Sequence, residues 1–392
     1  MYFQVLDTKR NCKNVFYDGK LEDEFRDCMT HTWSYTPHFE QTKKPSYAEI
    51  WCLGKSLDEM CPDNIKLDWN DINLKANAFM KSLKTSKINL QNNCLYDLLP
   101  EHFLLEFYLL KNKITEHVFE NFSKPKNYDF LSDLTALIYQ ISTRKLNINY
   151  DNLDWSKKEV RDSFNKIKNV SSTIKYTPWV SATGRLSTKT NSFPILNLNK
   201  SLRSCLVPTN DLFLELDFNS AELRVLFALL DQEQPKDDVH GWIAKNIFSD
   251  KYSRDDVKRK VFSWLYNPKA KNKKLNSFLD RDKVLEKYYN QGSIITPYDR
   301  KIYVEEEKAV NYMIQSTASD LLLTAAIAIN KFLQGKKSFV CFCIHDSLVL
   351  DISSDDKQHL QELIDIFSQT KLGFFKTNVS LGKNFGSMRK IV

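Results

Sequence analysis

The sequence lacks most of the short patterns that announce a chemistry. There is no GxSxG elbow, no HExxH helix and no P-loop, so nothing marks a covalent nucleophile, a zinc protease or a Walker-type site. The eight cysteines (Cys12, Cys28, Cys52, Cys61, Cys94, Cys205, Cys341 and Cys343) include no CxxC pair and no histidine at zinc spacing. Cys341 and Cys343 alternate inside an apolar run, the pattern of two side chains on one side of a strand. A reducing compartment is the expected setting. The N-terminal M-Y-F-Q-V-L-D has neither a basic-then-apolar signal nor an arginine-rich leader, and no apolar run is long enough to span a bilayer. Neither secretion nor membrane insertion is therefore expected. Internal repeats and low-complexity tracts are absent.

What is present is a globular composition, 42% hydrophobic and 27% charged, over 392 residues, enough for two or three domains. The formal net charge of +7 is modest, but the basic residues are uneven. Lys258, Arg259, Lys260, Lys269, Lys271, Lys273 and Lys274 crowd together, which favours a phosphate-rich partner.

Within that cluster Arg254, Lys258, Phe262 and Tyr266 recur every fourth residue. On an α-helix such a step drifts slowly, so the four side chains form one stripe roughly 18 Å long. Ser253 is placed to cap the helix start, with Asp256 three residues on. The cationic half suits a polyphosphate and the aromatic half a base and sugar. Asn267 is the expected left-handed cap, and Pro268 cannot continue the helix. A lysine-rich chain also produces such stripes by accident, with the aromatics in the core and the cations solvated.

Around the stripe, periodicity predicts a strand at 2–7 with a partner at 12–18, a helix over 69–83, and helices over 103–118 and 130–141 broken at 123–127. One more helix is expected over 155–168. Leu212–Phe218 reads as a strand ending in Asp217 and running into a helix over 221–230, capped by Asn219 or Ser220. The runs 338–344 and 348–352, separated by His345-Asp346-Ser347, predict a hairpin with Asp346 at its turn. Two such carboxylates on a common rim suit divalent cations.

In order along the chain, Asp217-Phe218-Asn219-Ser220-Ala221-Glu222-Leu223-Arg224, the stripe, and His345-Asp346 resemble motifs A, B and C of family A DNA polymerases. The likeness extends to Thr183-Gly184-Arg185, Asp238-Val239-His240, Asn311 and Gln315, and covers about residues 176 to 392. The resemblance implies an α+β right-hand fold, with an antiparallel palm sheet, helical fingers, a reduced thumb and a small N-terminal α/β region. The implied division is 1–100 N-terminal region, a degenerate exonuclease-like remnant; 101–180 connector and thumb; 181–240 and 301–392 palm; 241–300 fingers. By the same resemblance Asp217 and Asp346, with the carbonyl of Phe218, hold two Mg²⁺ ions, for which Mn²⁺ is the substitute. Arg254, Lys258 and His240 hold the triphosphate, and Phe262 and Tyr266 shape the nascent pair. Arg185, Asn311, Gln315 and His345 face primer and template. Glu222, paired with Tyr266, occupies the space a ribose 2′-hydroxyl needs. The implied reaction is template-directed addition of deoxynucleotides to a primer 3′-hydroxyl.

Three departures stand out. Asn267 replaces the family's glycine, and Ser347 replaces the usual glutamate after His-Asp, as in single-subunit RNA polymerases. An RNA polymerase or primase on the same palm, or a non-catalytic nucleic-acid-binding subunit, are the alternative readings; Glu222, absent from the RNA enzymes, favours deoxynucleotides. Near the N-terminus Asp7-Thr8-Lys9 stands where proofreading exonucleases carry Asp-x-Glu. A lysine is no metal ligand, so no 3′–5′ exonuclease activity is expected. Primer–template DNA and dNTPs are the expected partners. A replicative helicase or helicase–primase or a processivity factor would compensate for the small thumb, and a separate exonuclease is a further expected partner. The compactness points to a phage and the lysine- and asparagine-rich, glycine-poor composition to an AT-rich genome, which would place the protein in the host cytoplasm.

Overall fold

In the computed structural model the described residues are 1–6, 14–37, 44–88, 93–267 and 269–391. Asp7, Thr8, Lys9, Cys12 and Pro268, on which sequence expectations rest, lie outside them. The chain divides into two units, Met1–Ala136 and Leu137–Val392.

In the first unit Phe3–Val5, Val15–Tyr17 and Lys20–Glu22 form an antiparallel sheet, and the longest helices are Lys66–Thr85 and Glu101–Asn121. Phe103, Leu104, Ile114 and Val118 recur at helical spacing and pack with Trp69 and Ile72 in one core. Gln4, completely buried, is satisfied by donating to Asn112 and Thr115, each at 2.9 Å, as a buried amide must be. Cys94 is disulfide-bonded, which corrects the expectation of reduced cysteines at that position.

The second unit is organised by an antiparallel sheet. Its strands, in spatial order, are Phe339–Ile344, Ser347–Ile352, Leu212–Phe218, Thr377–Gly382 and Arg389–Lys390. In Leu212–Phe218 the period of two sends Leu214, Leu216 and Phe218 to one face and Phe213, Glu215 and Asp217 to the other. Phe218 stacks on Phe367 of the helix Leu360–Ser368, ring centroids 4.1 Å apart, so the leucine face meets the helices. Asp217 thus lies on the opposite face. The helix Glu306–Phe332 packs against the hairpin strands and against the helix Ala221–Leu229. By length and composition Glu306–Phe332 is apolar enough to cross a membrane, correcting the expectation that no run is; 78% of its most apolar window is buried within the fold.

Local departures have identifiable causes. The turn between the hairpin strands is His345-Asp346 alone, because Ser347 already pairs with Ile344. His345 adopts φ +52°, the conformation a two-residue hairpin turn demands. A β-bulge between Val340 and Phe342 shifts the register at Cys341, so Cys341 and Cys343 do not share a face by simple alternation. The helix expected over 155–168 is confined to Lys158–Phe164. Ser220 occupies the N-cap position of Ala221–Leu229 in the left-handed region, φ +55°, without a side-chain cap.

The turn before that helix is held instead by Arg224. Its guanidinium, 1% exposed, donates to the carbonyls of Asn219 (2.7 Å), Pro235 (2.8 Å) and Asp237 (2.8 Å). Burial lowers its pKa to about 10, with Asp238 and Asp237 opposing the shift. Arg224→Leu removes every one of these donors while keeping apolar volume. A loss of about 3 kcal/mol in a denaturant melt is expected, because buried acceptors are left unpaired.

Candidate active site on the rim of the antiparallel sheet

Asp217 pairs directly with Ser347 on one side and Asn378 on the other. Asp346 is the residue before Ser347, so the antiparallel register brings both carboxylates to one rim from points far apart in the chain. The Asp217 carboxyl is raised to about 6, first by burial and then by the charges of Glu215 and Asp346. A hydrogen bond donated by Asn378 Nδ2 at 3.0 Å and the charge of Lys390 act the other way. Glu215, two residues before Asp217 on the same face, accepts from Ser347 Oγ at 3.2 Å. The serine in place of the family's glutamate therefore meets a carboxylate across the strand pair.

Among the described residues no three His, Cys, Asp or Glu side chains converge into a ready-made metal cage. The donor set nevertheless fits a hard divalent cation. Magnesium retains waters and uses one or two carboxylates plus substrate phosphates rather than an all-protein cage. The burial of Asp217 beside the charges of Glu215 and Asp346 supplies the negative field such an ion relieves.

Beside the rim, Glu222 projects from the first turn of Ala221–Leu229 and is nearly buried. Its Oε1 accepts from Arg185 Nη2 at 2.6 Å, and its Oε2 accepts from the Tyr266 hydroxyl. Burial raises its pKa; Arg185 pulls it down and Asp346 pushes it up. Both carboxylate oxygens are engaged, one by the Thr183-Gly184-Arg185 turn and one by the end of the stripe.

The stripe is the exposed side of the helix Arg254–Tyr266, whose other side buries Val257, Val261, Trp264 and Leu265. Ser253 caps it, accepting from Asp256 N–H at 3.2 Å and donating to Asp256 Oδ2 at 2.6 Å. Phe262 and Tyr266 lie parallel, 3° between ring planes and 5.8 Å between centroids. Lys258 Nζ stands 5.9 Å from the Phe262 centroid and the His240 ring another 5.9 Å from it. Arg254 makes a bidentate pair with Asp238 at 2.9 and 2.7 Å. His240 is buried, and its Nδ1 is without a hydrogen-bond partner. Burial takes its pKa down to about 4, with Arg254 and Lys258 adding to the shift and Asp238 resisting it.

The end of this helix differs from the expectation. Asn267 has φ −100° and is extended rather than left-handed. Arg281 caps the helix instead, donating to the carbonyls of Trp264 (2.6 Å), Asn267 (3.2 Å) and Ala270 (2.8 Å). Asn311 Nδ2 donates to the Tyr266 carbonyl at 3.1 Å. Gln315 lies half-buried one turn further along the same helix, and His345 is exposed at the hairpin turn. The structure thus links Asp217, Asp346, Glu222, Arg185 and Tyr266 through direct or adjacent contacts. Arg254, Lys258 and His240 gather around Phe262 and Asp238. Sequence reasoning missed Asp238 as the partner of Arg254, Asn378 against Asp217, and Arg281. Only Asp238 carried a local signal, three residues before a glycine at a helix start.

Residues 282–387 match the family model for DNA polymerase family A. A DNA polymerase of Bacillus phage SP01 is 32% identical over 98 residues, which are 21% of this chain and 10% of that protein. DNA polymerase I of Pseudomonas aeruginosa is 25% identical over 229 residues, 45% of this chain and 25% of that protein. The chain thus spans no more than about a quarter of the length of these curated relatives. Among solved structures, the POL domain of Pol1 from M. smegmatis, in complex with DNA primer-template and dNTP, is 15% identical. That match has a TM-score of 0.48 and covers 72% of this chain and 55% of that one. Residues 282–387 are thus similar to part of DNA polymerase family A, and both of these curated relatives are DNA polymerases.

Proposed function

We propose that this protein is a template-directed DNA polymerase that adds deoxynucleotides to a primer 3′-hydroxyl, assisted by two metal ions and without 3′–5′ proofreading. The observation that carries the reading is the register Asp217 to Ser347, which sets two acids on one rim, with Glu222 tying that rim to the stripe through Tyr266. Asp217, Asp346 and the Phe218 carbonyl would hold Mg²⁺, which lowers the pKa of the attacking hydroxyl and neutralises charge on the triphosphate. Arg254 and Lys258 offer the triphosphate two cations. Arg254 is already engaged by Asp238, so an incoming phosphate shares that guanidinium rather than finding it bare. His240 stays neutral near pH 7 and can donate one hydrogen bond without adding charge. The flat Phe262–Tyr266 pair suits the nascent base pair. Glu222, held between Arg185 and Tyr266, fills the position a 2′-hydroxyl would take.

Extension of a primed template with each nucleotide class, from matched and mismatched primer ends, tests the reading. Deoxynucleotide incorporation without removal of the mismatch is expected. Preferential use of ribonucleotides, or excision of the mismatch, would overturn the corresponding part. A further expectation concerns Phe262. Its ring has no hydroxyl to stand in for a missing 3′-OH, so dideoxynucleotides should be poor substrates, and Phe262→Tyr should raise the dideoxy-to-deoxy incorporation ratio by roughly tenfold or more.

A further inference from the structure

Resting on the polymerase reading, we infer that the tip of the hairpin 176–188, Trp179 and Val180, is an apolar wedge against the minor-groove edge of the primer–template duplex. The strands Tyr176–Thr177 and Ser187–Thr188 pair antiparallel, so residues 178–186 form one loop. That loop is braced at both ends. The Tyr176 hydroxyl accepts from the Cys343 N–H at 3.1 Å, and Ser319 Oγ donates to the Gly184 carbonyl at 2.9 Å. Arg300 supplies the third brace. It pairs with Asp320 at 3.0 Å, with both side chains largely buried, and donates to the carbonyls of Thr183 (3.0 Å) and Ser316 (3.1 Å). The fit is close enough that a Cβ at Gly184 would lie 2.5 Å from Arg300 Nη1.

On this rigid support sits an exposed apolar pair. Trp179 is 37% exposed and Val180 67%. The Trp179 ring lies over the Arg300 guanidinium, 5.2 Å from centroid to Cζ, and its backbone is left-handed at φ +66°. A tryptophan in a sparsely populated backbone conformation is strained, and such strain persists where the surroundings enforce it. Along the hairpin's own sequence the charge has one sign. From Asn169 to Ser192 there is no Asp or Glu, while Lys175, Arg185 and Lys189 are present. Lys175 and Lys189 are exposed and joined by a backbone hydrogen bond of 2.8 Å. Cations flanking the strands and an apolar tip beside an arginine match a duplex, which offers phosphates outside and sugar and base edges within the groove.

The test is equilibrium anisotropy with a labelled primer–template duplex and, separately, the unpaired template strand of the same length. Trp179→Ala and Val180→Ser are measured beside the wild type. A wedge against paired DNA predicts that the ratio of duplex to single-strand affinity falls, by about tenfold for Trp179→Ala and less for Val180→Ser. A purely scaffolding role would weaken both ligands alike. Tryptophan fluorescence gives a second readout with a variant that keeps an aromatic ring: duplex-dependent quenching in the wild type should be reduced in Trp179→Phe. An unchanged affinity ratio in both variants, with unchanged quenching, would overturn the wedge. Wild-type protein that binds duplex but extends no primer would instead overturn the polymerase reading and leave the wedge to the affinity ratio alone.

Discussion

Asp217→Asn and Asp346→Asn should each reduce primer extension about a thousandfold or more, with the thermal melt and duplex binding preserved. The amide is isosteric and leaves Asn378 a carbonyl oxygen to donate to, so the strand pairing around position 217 has no reason to change. What each variant loses is one negative charge at the rim. Fixed charges aimed at a reacting centre are worth several kcal/mol, and in the proposed two-metal reaction each substitution would leave the divalent ions one carboxylate fewer on the protein. A metal titration followed by a fluorescent ion should weaken in parallel. Extension within tenfold of the wild type for either variant would remove the carboxylate pair from the reaction.

Glu222→Ala should raise ribonucleotide incorporation relative to deoxynucleotide by about a hundredfold in single-turnover extension. The reason is steric and electrostatic together. Glu222 is nearly buried, with one oxygen under the Tyr266 hydroxyl and the other 2.6 Å from Arg185, so its carboxylate has little freedom to move aside for a 2′-hydroxyl. Alanine opens that volume. Deoxynucleotide use should fall as well, because Arg185 and Tyr266 lose the acceptor that orients them. Glu222→Gln, which retains the volume but not the charge, should keep much of the sugar discrimination and separates bulk from electrostatics. An unaltered ribo-to-deoxy ratio in Glu222→Ala would place sugar selection elsewhere.

The elements that carry this chemistry were legible because each is governed by local periodicity. The helix Arg254–Tyr266 and the strand Leu212–Phe218 have the boundaries their spacing implies, since a four-residue repeat with a serine cap and an apolar alternation each admit few readings. The hairpin was visible too, though one residue tighter, because Ser347 is taken up by strand pairing. Less legible were the features decided by partners distant in sequence. Asn267 is extended because Arg281, beyond the next helix, takes the carbonyls a left-handed cap would otherwise have to satisfy. The loop after Leu230 is tied down by Arg224, whose guanidinium, in a helix with Glu222 as its one other charged residue, reaches carbonyls. No sequence window contains those acceptors in recognisable order. The bulge at Cys341 is likewise a property of the strand pair rather than of either strand.

The two oxygens of Glu222 have a thermodynamic consequence. A ligand that recruits Arg185 withdraws the cation that holds the carboxylate from one side, and thereby changes how firmly the phenol of Tyr266 is gripped on the other. Whatever occupies Arg185 and whatever displaces Tyr266 are then linked through one shared acceptor. Reciprocity requires that each alter the other's affinity by the same factor, so the two occupants communicate without movement of any larger element.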